Sequence, residues 1–182
     1  MFKKLDVLDE KDKRLRQKSK EATLPLSKEE KKLIKQAIKE LTYSQIEEYE
    51  KKYDLRPGMG LAFPQLGIMK RVFIIDHEVE DGIFDEYVFV NPKIISYSEE
   101  MIASEVGEGC LSVNREVEGH IPRYARVTIE GLDIDGNKQK VRAREELSIA
   151  FQHEMDHLEG VLFFDKINKN KPFFNEKEIR LI

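Results

Sequence analysis

Gln152-His153-Glu154-Met155-Asp156-His157 limits what this chain can fold into more than any other stretch, because it combines two ligating side chains with a helical pattern. His153 and His157 stand four positions apart, so on a helix both imidazoles project from one face. Two neutral imidazoles so placed can grip one divalent metal, and Glu154 lies beside them to take a proton from water on that metal. Leu147, Ala150, Phe151, Met155 and Leu158 recur at helical spacing around the same residues. A helix from about Arg144 to Leu158 is therefore expected, with Gly160 able to end it.

The rest of the chain must supply a core for that helix. Of 182 residues 40% are hydrophobic, enough for one compact domain, and a single catalytic domain over 1–182 is expected. The 36% of charged residues nearly cancel to a net charge of −4, which gives no electrostatic footprint for nucleic acid or an anionic membrane. The opening residues lead into a polar stretch, so neither a secretory signal nor a membrane span is expected, and a cytoplasmic location follows. The single cysteine, Cys110, excludes an intramolecular disulfide and needs another explanation.

Ser27 and Glu30 have capping-box spacing, and Leu33, Ile34, Ala37, Ile38 and Leu41 follow at helical intervals, so a long amphipathic helix should start near Lys28. Ser44 and Glu47 repeat that spacing. The helix is thus expected to break near Tyr43 and restart as a shorter one carrying Ile46, Tyr49 and Tyr53. Beyond Pro57 the texture changes to β-rich runs at 72–75, 87–90, 94–97 and 127–129. Asp135-Gly136-Asn137 separates 132–134 from 138–141 as a tight hairpin. Helical front and strand-rich remainder make an α+β fold.

The bare His-Glu-x-x-His pattern leaves the third ligand open. One class of zinc protease has a third histidine where this chain has Phe163, which cannot bind metal. Another takes a downstream glutamate, and the only candidate, Glu176, has too little sequence around it for a packed helical subdomain. Cys110, in Gly107-Glu108-Gly109-Cys110-Leu111-Ser112, fits better: flanking glycines allow close backbone approach, and a thiolate suits a borderline-soft metal. Three protein ligands leave one position for water, as in a catalytic site. A non-enzymatic module would fill that position with protein, and His77 and His120 are the spare imidazoles.

Gly58-Met59-Gly60-Leu61-Ala62-Phe63-Pro64-Gln65 is a third cluster. A phosphate-binding turn would follow a strand, but here the long helix precedes it. Together the segment ending in Gln65, the Glu-Gly-Cys-Leu-Ser segment and the Gln-His-Glu-x-Asp-His segment resemble the three signature motifs of the peptide deformylases, in order. The helical front, the Arg56-Pro57 lead-in and Val113-Asn114-Arg115-Glu116-Val117 look like the longer, type 2 bacterial form, which ends without the C-terminal helix of type 1. Phe63 departs from the pattern, standing where the family usually has a second alanine. Local packing behind Gln65 should differ there.

The resemblance implies antiparallel sheets packed around a central metal-binding helix, with a long helical segment in front. It implies removal of the formyl group from formylmethionine of nascent polypeptides, with release of formate. Cys110, His153 and His157 would hold one divalent ion, Fe2+ in the first place, replaceable by Ni2+, Co2+ or Zn2+. Water on that metal would attack the formyl carbonyl with Glu154 as general base and then acid. The Gln65 amide and Leu111 N–H would stabilise the oxyanion. Gly60 would offer its backbone to an extended peptide, and Met59, Val106, Ile149 and Ala150 would line the methionine pocket. Arg123 would pair with Glu108 and hold the cysteine loop. The partners implied are formylmethionyl peptides, nascent chains and a transient ribosome contact.

Overall fold

Helix α1 (Lys28–Gln45) begins at the expected capping box: Ser27 Oγ accepts the Glu30 N–H, and the Glu30 carboxylate accepts the Ser27 N–H. A short second helix, α2 (Glu47–Tyr53), follows, but the break falls at Ile46 and not near Tyr43. Ser44 does not cap it. Its hydroxyl accepts the Gly58 N–H at 3.2 Å and lies 2.8 Å from the Leu41 carbonyl, so it ties the end of α1 to the first glycine-rich segment. The computed structural model describes residues 2–175 and 177–182; Glu176, weighed above as a ligand, lies outside them.

Among the described residues eight strands follow α2: β1 (Gly60–Ala62), β2 (Val72–Glu80), β3 (Ile83–Tyr97), β4 (Met101–Ala103), β5 (Arg123–Tyr124), β6 (Arg126–Leu132), β7 (Lys138–Arg144) and, after helix α3 (Glu145–Leu158), β8 (Arg180–Leu181). A five-stranded sheet runs β1-β2-β3-β6-β7 with every neighbour antiparallel. The second sheet, β5-β4-β8, pairs β4 with β5 antiparallel and with β8 in parallel. The expected strands at 87–90 and 94–97 form one continuous strand. Asn91 takes φ 51° and the register shifts between Val90 and Lys93, so the ladder steps around Pro92, which has no N–H to give it. The expected hairpin at 135–137 joins β6 to β7.

Strand β2 is buried on both faces because helices cover both. Val72 and Ile74 pack with Ile34, Ala37 and Leu41 of α1, while Phe73 and Ile75 face Ala150, Phe151 and Leu158 of α3, following the period of two. Phe73, Phe89 and Phe151 meet with ring centroids 5.4 to 5.7 Å apart. On its other side α3 reaches the small sheet: Ile149 clusters with Ile102 and Ala125, and Gln152 exchanges hydrogen bonds with the Tyr124 N–H and C=O at 3.0 and 2.9 Å. The helix is thus held between two sheets, with its histidines facing inward.

Asp76 of β2 is fully buried, and its Oδ1 has no hydrogen-bond partner. The Thr42 hydroxyl lies 2.7 Å from Asp76 Oδ2 and 3.0 Å from the Ile38 carbonyl, with one proton for two acceptors. A protonated Asp76 resolves this by donating to Thr42. Burial raises the carboxyl above its ordinary 3.8, so its contribution to stability is fullest below that pH and is lost as pH rises through the raised folded value. Asp76→Asn keeps a donor for Thr42 and carries no charge. It is expected to stabilise the fold by about 1 kcal/mol at pH 7 and by almost nothing near pH 4, as read by urea unfolding at both pH values.

Candidate metal centre

Helix α3 presents His153 and His157 to one side, and the 107–112 loop brings Cys110 to meet them. Ligand atoms of Cys110, His153 and His157 all lie within 4.8 Å of one another, and Cys110 Sγ stands 3.3 Å from His157 Nε2. Tetrahedral S and N ligands at ordinary bond lengths lie about 3.5 Å apart, so the separation of Cys110 Sγ and His157 Nε2 suits two ligands of one metal ion. His77 and His120 do not join the cluster. His77 faces Glu146 at 3.7 Å, and His120 accepts the Phe174 N–H through Nδ1.

The tautomer of His153 is set from behind. Its Nδ1 lies 2.9 Å from Glu108 Oε2 and donates there, which leaves Nε2 as the atom that could ligate a metal. Glu108 receives the Arg123 guanidinium bidentately at 2.8 and 2.9 Å, and Arg123 also reaches Asp156 at 2.6 Å. This is the Glu108–Arg123 pair expected from sequence; the Asp156 arm, which Lys166 shares at 2.8 Å, is an addition. Burial would raise the Glu108 carboxyl, but Arg123 and His153 outweigh it and bring it down to about 2. Burial would lower His153, yet its hydrogen bonds to Cys110 and Glu108 hold the imidazole well above 6.5. His157, lowered by burial and by the neighbouring His153, stays neutral.

Glu154 is buried, and its Oε2 has no hydrogen-bond partner. Burial pushes its carboxyl up to about 7, which poises it to exchange a proton near neutrality. Gly60 leaves the space it occupies: a Cβ there would fall on Glu154 Oε1 and come within 2.9 Å of its Cδ. Gly60→Ala is therefore expected to displace the carboxylate and lower kcat/KM by roughly 100-fold while one metal per chain is retained, measured by hydrolysis rate beside metal content. The glycines of the cysteine loop divide their work differently from expectation. Gly107 needs its φ of +81° and sits against the Gly119 carbonyl, whereas a Cβ at Gly109 would meet nothing within 4 Å.

Gln65 is buried with its amide directed at the cluster. Its Oε1 accepts the Ala62 N–H at 2.8 Å, and its Nε2 lies 3.1 Å from Ser112 Oγ and 3.6 Å from Cys110 Sγ. The unexpected Phe63 is fully buried in the cluster that includes Ala22 and Ala37, small residues that leave room for its ring. A cleft of about 680 Å³ opens over Glu154, His153 and Cys110. Met59, Gly60, Gln65, Leu111, Ile149 and Ala150 line it, and Val106, 96% exposed, stands at its rim. β1 is an outer strand of its sheet and forms one wall.

Similarity to known proteins agrees with this geometry. A family model described as polypeptide deformylase matches residues 4–173. Peptide deformylase 2 of Bacillus cereus is 45% identical over 168 residues, which cover 92% of this chain and 91% of that protein. The peptide deformylase of Oceanobacillus iheyensis is 49% identical over 150 residues, 82% of each chain. Among solved structures, peptide deformylase 1B of Arabidopsis thaliana in complex with an inhibitor superposes with a TM-score of 0.74 at 32% identity, covering 91% of this chain and 83% of that one. That of Thermotoga maritima gives 0.71 at 30% identity, covering 90% and 97%.

Proposed function

The chain belongs to the polypeptide deformylase family, and we propose that as one catalytic domain it hydrolyses the N-terminal formyl group of formylmethionyl peptides, releasing formate. The observation that carries this reading is the Cys110, His153, His157 cluster with Glu154 buried beside it at the floor of an open cleft. One thiolate and two imidazoles suit Fe2+, with Ni2+, Co2+ and Zn2+ as substitutes. Such an ion supplies Lewis acidity, lowering the pKa of water and polarising a carbonyl.

The side chains do the remaining work. Glu154 takes a proton from the attacking water as the new C–O bond forms at the formyl carbon. When the C–N bond breaks, it hands that proton to the leaving amine, and formate departs. The Gln65 Nε2 and Leu111 N–H donate to the oxygen that gains charge in between. Gly60, on the outer strand β1, pairs with the extended peptide backbone. Met59, Ile149 and Ala150 take the methionine side chain, with Val106 at the entrance. Nascent chains that begin with formylmethionine are the physiological substrate we infer, met in the cytoplasm at the ribosome. Among the described residues no helix is long and apolar enough to cross a membrane.

Anaerobically purified protein given formyl-Met-Ala should release one formate per peptide and leave the Met-Ala bond intact, with iron at about one per chain by elemental analysis. Cleavage of Met-Ala in place of formate release would point to a peptidase and overturn the reading.

A further inference from the structure

Arg56 precedes Pro57 at the edge of the cleft, and its side chain reaches the surface. Exposed arginines usually end in solvent or on a carboxylate, but among the described residues this one binds no carboxylate. Its Nη2 donates to the Cys110 carbonyl at 3.1 Å and the Val113 carbonyl at 2.8 Å; its Nη1 donates to the Leu111 carbonyl at 3.2 Å and to Asn114 Oδ1 at 2.6 Å. Four acceptors within five residues thus converge on one guanidinium. The remaining carbonyl of the turn, Ser112, accepts the Glu10 N–H at 2.7 Å.

One of those contacts bears on the chemistry. The Cys110 C=O and the Leu111 N–H belong to the same peptide unit, which is planar and trans, so they point in opposite directions. The Cys110 carbonyl is held twice, by Arg56 and by the Val113 N–H at 3.0 Å. Among the described residues the Leu111 N–H donates to nothing. A free donor beside a ligating sulfur, with its carbonyl pinned on the far side, is an N–H kept available.

We infer that Arg56 is a positioning residue, which by fixing the Cys110–Leu111 peptide plane keeps the Leu111 N–H aimed at the oxygen that gains charge. The inference rests on the proposed role of that N–H as an oxyanion donor. Arg56 touches neither a ligating atom nor the reacting atoms, so its effect should show in kcat and not in metal retention.

In holoenzyme carrying one metal per chain, Arg56→Ala is expected to lower kcat about 10- to 100-fold, less than outright loss of an oxyanion donor, with KM changed by less than about threefold. Arg56→Lys retains the charge but cannot span four acceptors, so it should recover only a minor part of the loss. A kcat within about threefold of the parent, a loss matched wholly by lost metal, or full recovery by lysine overturns the inference. Glu154→Gln measured alongside separates the two levels. If that variant stays active, the reading of the site itself falls; if it is inactive while Arg56→Ala keeps its kcat, only the role of Arg56 falls.

Discussion

Glu154→Gln is expected to give a folded protein that binds its metal and releases formate roughly 10³- to 10⁴-fold more slowly, the upper range for loss of a general acid–base group. The substitution is nearly isosteric, and the fold should tolerate it. Oε1 sits against Gly60 and Oε2 has no hydrogen-bond partner, so an amide breaks no existing contact. Metal retention should be unchanged, because the group that could hold the ion is Cys110, His153 and His157, and Glu154 is not part of it. What disappears is the proton carrier. Burial places its carboxyl near 7, and the parental rate should fall as pH drops and the carboxyl takes up a proton, with a bound cation moving that limb downward. The acid limb should be missing from the residual activity of the variant. Formate assays across pH, with elemental analysis and circular dichroism, check each part; a rate within tenfold of the parent would remove Glu154 from the mechanism.

The local signals in the sequence were legible where one residue type in one position does one job. Ser27 and Glu30 start α1 where their spacing said, and Asp135-Gly136-Asn137 turns β6 into β7. His153 and His157 share a helix face, as four-residue spacing requires, and Cys110 meets them. The misreadings arose where a residue had two possible partners. Ser44 carries the spacing of a cap, but the Gly58 backbone competes for its hydroxyl and wins. The runs at 87–90 and 94–97 read as separate strands, but a register shift beside Asn91 carries the chain past Pro92 within one strand, β3. The contacts of Arg56 stayed invisible for a deeper reason: three of its four partners are backbone carbonyls some 54 to 57 residues away, and a carbonyl is the same in every residue. Asp76 is similar, since only the fold reveals that a β-strand acid is sealed under a helix. Side chains that bind metal announce themselves by type; side chains that hold the backbone do not.

The cysteine carries the second large effect. Cys110→Ala should leave two neutral imidazoles as the only protein ligands and remove the one anionic donor of the set. Metal affinity should fall by more than the roughly 10- to 100-fold that loss of an outer hydrogen-bond partner costs, and formate release should fall with it. The fold itself should survive. Cys110 packs among Val113, Ile121 and Phe163, and trimming a sulfur from that small cluster costs about 1 kcal/mol. The Glu108–Arg123 pair that holds the loop does not involve the thiol. Elemental analysis after dialysis should therefore find metal-free protein with a thermal midpoint close to that of the metal-free parent. Excess metal should restore binding only in part, since alanine cannot supply the charge. A variant that kept one metal per chain would mean that another residue is the third ligand. His77 and His120 are poorly placed for that, one facing Glu146 and the other bonded to the Phe174 backbone. The same two residues would have to move for the cluster to close as a purely structural site, and formate release that is lost with the metal and partly regained with excess metal is the result that ties the cluster to catalysis.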